Sequence, residues 1–156
     1  MHERIARLQQ SLREKIAKQG VAAGAAVIEQ EMVMRAPILD AKTAESTALD
    51  PGTLKSDLRV KMLPIDREGY AAALIGPGEL SWHVAIWVEY GHRLVKGGYS
   101  KIVKIGRNAG KLRGPGREVS QVPAHPFLRP AFETAIDPAI DSCAETVRAG
   151  IAEVLL

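Results

Sequence analysis

At 156 residues and 46% hydrophobic content, the chain has the size of one domain and enough apolar residues for one core. Its single cysteine excludes an internal disulfide, and no run of residues is long and apolar enough to span a membrane. The charged N-terminal residues are also unlike a signal peptide. We therefore expect one domain over residues 1–156, made in a cytoplasm and not anchored in a membrane.

The net charge of +3 hides an asymmetry along the chain. Residues 93–117 hold eight of the 21 basic residues and no acidic one, which leaves 13 basic against 18 acidic residues elsewhere, a net of −5. The positive charge is thus a local feature. The eight residues are Arg93, Lys96, Lys101, Lys104, Arg107, Lys111, Arg113 and Arg117.

The first part of the chain predicts a helix followed by a loop. Apolar residues recur at three- and four-residue spacing between Ile5 and Met34, as in one long amphipathic helix or a pair of them. Pro37 ends this pattern, because the residue before a proline is pushed out of the helical region. Residues 37–57 are rich in Asp, Thr, Ser and Pro-Gly and predict a flexible surface loop.

The middle of the chain predicts a small antiparallel sheet. Residues 58–62 alternate apolar and basic side chains, residues 66–69 supply a polar turn, and residues 70–75 form a partner strand that Gly76-Pro77-Gly78 breaks. Residues 83–89 predict a third strand, with a helix as the open alternative. Residues 93–122 contain six glycines and predict a long flexible hairpin, named here the basic arm.

The last part predicts an amphipathic C-terminal helix packed on the sheet. Its expected apolar stripe is Phe132, Ile136, Ile140, Cys143, Val147, Ile151 and Val154. Asp137-Pro138 predicts a kink at which the helix restarts. The predicted fold class is α+β, with a long N-terminal helix, a sheet of three or four antiparallel strands carrying the basic arm, and the C-terminal helix.

The sequence holds no arrangement typical of catalysis or of metal binding. The four histidines, His2, His83, His92 and His125, are scattered and lack the spacing of a zinc site. Cys143 falls on an apolar helix stripe, where a thiol acts as a small hydrophobe. Residues 106–111 lack the glycine spacing of a phosphate-binding loop. Asp137 and Asp141 lie one turn apart, as charges on a solvated face often do. We expect no enzymatic activity, metal or cofactor.

Two short motifs flank the basic arm. The first is Val88, Glu89, Tyr90 and Gly91, and the second runs over residues 123–132 and includes Pro126, Phe127, Leu128, Arg129 and Pro130. Together they resemble the tail-completion, or neck, components of long-tailed bacteriophages, which pair a Val-Glu-aromatic-Gly-Thr strand end with a Pro-Ala-x-Pro-Phe-Leu-x-Pro-Ala helix start. Ala36-Pro37 and residues 51–55 match that family in part, whereas His92 replaces its usual threonine.

The resemblance implies a structural protein that completes the tail and joins it to the head connector, as a hexameric ring of identical subunits. Its expected partners are further copies of itself, the tail tube protein and the head–tail connector, with non-specific contact to DNA in the lumen. Its expected location is the neck of the virion, after assembly in the host cytoplasm. The eight basic residues and Arg129 are the expected contacts, while the motif residues hold the fold.

Two other functions stay open at this point. A tail terminator, which caps the tail tube, has the same expected structure. A free-standing nucleic-acid-binding protein could use the basic arm to contact phosphates. Charge alone does not separate these partners, because basic patches carry no base-specific information.

Overall fold

The computed structural model describes residues 2–38, 50–66, 68–96, 107 and 117–155, and it confirms the α+β class. Within these residues the elements follow one another as α1 (His2–Arg35), α2 (Thr53–Ser56), β1 (Leu58–Met62), β2 (Ala73–Pro77), α3 (Trp82–Tyr90), β3 (His92–Lys96), β4 (Arg117–Val122) and α4 (Leu128–Leu155). No helix in these ranges combines the length and apolar character needed to cross a membrane.

The chain divides into two compact units. The first unit comprises Met1–His83 and Phe127–Leu156, and the second comprises Val84–Pro126. The first unit therefore contains α1, α2, the β1–β2 ribbon and α4, while the second contains the β3–β4 ribbon and most of α3.

In the first unit, α1 and α4 pack against each other through small residues. A Cβ placed on Gly24 would lie 2.8 Å from the carbonyl oxygen of Ala139, and one on Gly20 would lie 2.5 Å from Cγ2 of Val147. The two helices are antiparallel, because Gly20 meets Val147 whereas Gly24, further along α1, meets Ala139, which comes earlier in α4. Gly20 and Gly24 thus allow close packing of the two helices, within an unbroken α1.

The buried face of α4 differs from the predicted one. Ala131, Ala135 and Ala139 are buried, and Cys143 is half-buried with its Sγ towards Gly20. Much of the expected apolar stripe is instead exposed, by 47–58%, at Phe132, Ile140, Ile151 and Val154. The large side chains misled the prediction because a close helix pair selects small residues for its contact.

α4 also packs chiefly against α1, so the expected packing of this helix on the sheet is wrong. The β1–β2 ribbon contacts α1 instead. Nor does Pro138 restart the helix, because α4 is continuous through it.

The first ribbon largely confirms the prediction. β1 and β2 are antiparallel, with Leu58 opposite Pro77 and Met62 opposite Ala73. In the turn, Oδ1 of Asp66 accepts hydrogen bonds from the backbone N–H groups of Glu68 and Tyr70, at 3.0 and 2.8 Å. The partner strand begins later than expected and runs through Pro77, so Gly76 does not break it.

Three other predictions need correction. The third strand expected over residues 83–89 is wrong, and the helix left open as the alternative is confirmed, because these residues lie in α3. A single sheet of three or four strands is not confirmed, since the four described strands pair as two separate ribbons. The loop expected over 37–57 ends early, because residues 53–56 form α2 with Leu54 fully buried. Residues 39–49 of that loop lie outside the described residues.

Candidate interaction site

The two sequence motifs meet in the second unit. The backbone N–H of His125 donates a 2.7 Å hydrogen bond to the carbonyl oxygen of Val88. Val88 lies near the end of α3, where helix carbonyls lack intrahelical partners, so the second motif satisfies one of these groups. Segments more than 30 residues apart in sequence thus form one junction.

Gly91 fixes the geometry of this junction. It follows α3 directly and has φ of +71°, the left-handed conformation that commonly ends a helix and favours glycine. A Cβ at Gly91 would lie 2.6 Å from the carbonyl oxygen of Val122 and 2.9 Å from the backbone nitrogen of Ala124. A glycine is therefore required here both by conformation and by close approach of the backbone.

His92, which departs from the family pattern, packs beside an aromatic ring. Its imidazole lies 5.2 Å from the ring of Trp87, at an interplanar angle of 32°. Its Nδ1 is buried and has no hydrogen-bond partner in the described part of the chain. His92 thus contributes ring packing and leaves one buried polar atom unsatisfied.

The basic arm leaves this junction as an antiparallel ribbon. β3 and β4 pair from His92 opposite Val122 to Lys96 opposite Arg117, with a bulge between Leu94 and Val95. The predicted hairpin is confirmed at its base, over the strands that the structure describes.

The predicted contact residues are placed as follows. Arg93 is exposed on β3, Lys96 and Arg117 form the last pair of the ribbon, and Arg107 is an exposed turn residue. Arg129 is exposed in the first turn of α4. Lys101, Lys104, Lys111 and Arg113 lie outside the described residues, and the contact role of the whole set stays a prediction.

The remaining motif residues have different environments. Glu89 is buried and Tyr90 is 71% exposed. Phe127 is 2% exposed and its carbonyl accepts a hydrogen bond from Ala131, so Phe127 precedes and anchors the start of α4. Leu128 is half-buried, and Pro130 occupies the first turn, as expected from its fixed φ. These positions support a structural role for the motif.

A second candidate surface, not predicted from the sequence, lies on the β1–β2 ribbon of the first unit. Arg59 and Lys61 point to the exposed face, where Lys61 is opposite Leu74 and Arg59 is opposite Gly76. With Trp82 they line an open groove of about 710 Å³, named here the cationic groove. Leu74 and Trp82 are 57% and 54% exposed. The groove is completed by Val60, Ile75, Gly76, Pro77, Gly78 and Glu79.

Both cations of the groove have exposed side chains. Neither Arg59 nor Lys61 forms an ion pair with a residue that the structure describes. The Arg59 guanidinium lies against Gly78 together with the Asp57 carboxylate: a Cβ on Gly78 would meet Oδ1 of Asp57 and would come within 2.6 Å of Nε of Arg59. The groove thus joins two positive charges and the carboxylate of Glu79 to an exposed indole and an exposed aliphatic side chain.

The outer face of α4 carries the opposite charge. Four exposed acidic residues follow one another at intervals of four residues, and they are named here the acidic row: Glu133, Asp137, Asp141 and Glu145. None of them forms an ion pair within the described ranges. The exposed apolar residues of α4 lie beside this row and are named the apolar row: Phe132, Ile140, Ile151 and Val154.

The sequence alone indicates part of these two surfaces, the cationic groove and the outer face of α4. The alternation in β1 shows that Arg59 and Lys61 share one face, and the four-residue spacing shows that the acidic row shares another. The exposure of Trp82 and of the apolar row was hidden, because large apolar side chains are normally assigned to a core.

Comparison with known proteins adds no assignment. No family model, no curated protein and no solved structure matches the chain. Among the described residues no three His, Cys, Asp or Glu side chains are grouped so that they could hold a metal ion.

Proposed function

We propose that this chain is a non-enzymatic structural protein of a phage or prophage, which completes the tail and joins it to the head connector. The observation that carries the proposal is the junction of the two motifs through Val88, Gly91 and His125. The two motifs that carry the family resemblance contact each other at the base of the basic arm. This contact explains why the chain needs both motifs, and it supports the resemblance.

In this function the chain forms a hexameric ring in the neck of the virion, after assembly in the host cytoplasm. Its partners are further copies of itself, the tail tube protein and the head–tail connector. The arm between Arg93 and Arg117 reaches one of these proteins or the DNA in the lumen. The arm carries eight basic residues, whereas the rest of the chain has a net charge of −5, and this difference in charge supports such a contact.

The single sheet of three or four strands, expected within one chain, belongs to this proposal, since the four described strands pair as two ribbons. A two-stranded ribbon is marginal in water and gains stability from a further strand or from packing.

The first experiment shortens the arm without disturbing its base. Residues 97–116 are replaced by Asn-Gly, which closes two-residue hairpins, so that the last ribbon pair, Lys96 and Arg117, is kept. In a phage that encodes this chain, we expect the shortened protein to fold and the particles to fall into separate heads and tails. Infectious, fully joined particles would contradict the proposed role of the arm.

The second experiment separates charge from length. The variant replaces four arm residues by Gln: Lys101, Lys104, Lys111 and Arg113. The matched control replaces four exposed basic residues of the helices by Gln: Arg13, Lys15, Lys18 and Arg148. Both lose the same charge, and we expect only the arm variant to lose joining. An equal loss of joining in both variants would show that the charges of the arm are not the contact.

Two alternatives give different results. Electron microscopy of a null mutant shows unjoined tails of normal length if joining is lost, and overlong tails if the protein is a terminator. A free-standing nucleic-acid-binding protein would bind DNA as an isolated subunit, with a steep decrease in affinity as salt rises.

A further inference from the structure

We propose that the outer face of α4 docks into the cationic groove of a second copy of this chain, so that subunits associate head to tail. The inference rests on the proposed function, because it assigns the contact between adjacent subunits of that ring. Both surfaces belong to the first unit, and the groove is lined by β1, β2 and residues 78–82 without any residue of α4.

The first argument is unburied apolar surface. The helix α4 uses alanines against α1, while the apolar row is left 47–58% exposed. Ile140 lies between Asp137 and Asp141 of the acidic row and is 58% exposed. A partner that covers Ile140 must itself be partly apolar, and Leu74 and Trp82 of the cationic groove meet that requirement.

The second argument is charge complementarity. The helix α4 contains five acidic and two basic residues, a formal charge of −3. Like charges at four-residue spacing on a helix repel one another, so the acidic row weakens an isolated helix. The groove is lined by Arg59 and Lys61 and by one carboxylate, Glu79, so its lining carries a formal charge of +1. A contact between the two surfaces brings Asp137 and Asp141 to these two cations.

The third argument is spacing. Residues four apart on a helix are separated by about 6 Å along its axis, because each residue rises about 1.5 Å. Residues two apart on a strand are separated by about 6.6 Å. Asp137 and Asp141 therefore match Arg59 and Lys61, and both pairs can form at once. Ile140, which precedes Asp141, then faces the apolar wall of the groove.

The two surfaces differ, so the contact is heterologous. A heterologous contact leaves one free copy of each surface at the two ends of a dimer, and further subunits add until a ring closes or a filament grows. This is the geometry that a ring of identical subunits requires, and it needs no residue of the basic arm.

The test exchanges the charges of the two surfaces. One variant carries R59E and K61E, and the other carries D137K and D141K. Each alone opposes like charges at every contact, so we expect its association to be weaker than that of the unchanged protein by about tenfold or more. When the two variants are mixed, the acidic helix face of the first meets the unchanged groove of the second, and the basic helix face of the second meets the acidic groove of the first. Rings or filaments in which the two variants alternate then form. A single chain with all four substitutions also associates.

The measurement is sedimentation velocity and light scattering at several protein concentrations, at low and high salt. The control variant, K15E with K18E, reverses two exposed charges of α1 outside both surfaces and keeps wild-type association. The I140Q variant removes an exposed apolar side chain and weakens association without lowering the melting temperature. Circular dichroism and thermal melting establish that each variant is folded.

Several outcomes would overturn the proposal. The unchanged protein could stay monomeric at all concentrations, or the mixture of charge variants could fail to associate more than each alone. Salt-sensitive binding of single-stranded DNA by a monomer, lost in R59E/K61E, would assign the groove to a nucleic acid. The shortened-arm protein separates the two proposals, since it keeps this association even where joining fails.

Discussion

Asp57 and Ser81 are joined twice across 24 residues of sequence: one carboxylate oxygen of Asp57 accepts hydrogen bonds from both the backbone N–H and the hydroxyl of Ser81, each at 2.9 Å. Ser81 is fully buried and directly precedes α3. The carboxylate therefore caps the start of α3. Because Asp57 directly precedes β1, it also links the start of α3 to the start of β1.

We expect Asp57→Ala to lower the free energy of unfolding by about 1–3 kcal/mol, because it leaves a buried hydroxyl and N–H without their acceptor. Urea denaturation measures the loss, and a double-mutant cycle with Ser81→Ala isolates the coupling. Asp50→Ala is the control, since Asp50 is exposed and its hydrogen bonds with described residues are made by its backbone carbonyl. Equal losses for the two aspartates would contradict the capping role.

Two glycines with positive φ distinguish backbone conformation from close contact. Gly69 has φ of +91°, and no atom of the described residues lies within 4 Å of a Cβ added there, whereas Gly91 has φ of +71°, and a Cβ added there would meet backbone atoms at 2.6 and 2.9 Å. We expect Gly69→Ala to cost about 1 kcal/mol, the cost of left-handed backbone, and Gly91→Ala to cost at least about 1 kcal/mol more. Chemical denaturation gives both values. A cost at Gly91 no larger than at Gly69 would show that the junction yields easily.

The contact between α1 and α4 makes a similar pair of predictions. Gly24→Ala gains helix propensity of about 1 kcal/mol but places a methyl group 2.8 Å from the backbone oxygen of Ala139, and overpacking typically costs about 1–3 kcal/mol. We expect net destabilisation. Gly150→Ala meets first the Ile16 side chain, at 3.1 Å, which can shift, so stability stays unchanged or rises. Thermal melting compares the two, and a stabilising Gly24→Ala would mean that the helices separate readily.

The ring contact of His92 can be separated from its unsatisfied nitrogen. His92→Phe keeps an aromatic ring beside Trp87 and removes the buried Nδ1, so we expect unchanged or higher stability. His92→Ala removes the ring and should cost about 1 kcal/mol. Hydrogen exchange in β3 and β4 reports these changes. Tyr90→Ala, at a side chain 71% exposed, is the near-neutral control. A loss in His92→Phe equal to that in His92→Ala would indicate that the imidazole nitrogens matter instead.

The sequence predicted what depends on local pattern. The period of apolar residues located α1 and α4, the alternation in residues 58–62 located β1, and the polar residues 66–69 located its turn. It did not decide between two structures where neighbouring residues determine the outcome. Residues 83–89 contain Val, Ile and Trp, which favour strands, so a helix was only the alternative, yet they form a helix capped by Asp57 and ended by Gly91.

The candidate surfaces divide in the same way. The basic arm is evident from charge alone, and the base of its hairpin follows from strand pairing. The cationic groove needed the structure, because only the pairing of Lys61 with Leu74 and the exposure of Trp82 bring charge and apolar surface together.

The antiparallel pairing of α1 with α4 has a consequence for biosynthesis. Ile16 packs on Gly150, and Gly24 lies over Ala139, so these contacts of the first helix form only after more than 100 further residues have left the ribosome. Contacts this distant in sequence form late and slow the folding reaction. Until then the glycine and alanine face of α1 has no helix to cover it. The first unit is therefore expected to fold after translation of α4, and a nascent chain stalled before Leu128 should remain a substrate for chaperones and proteases.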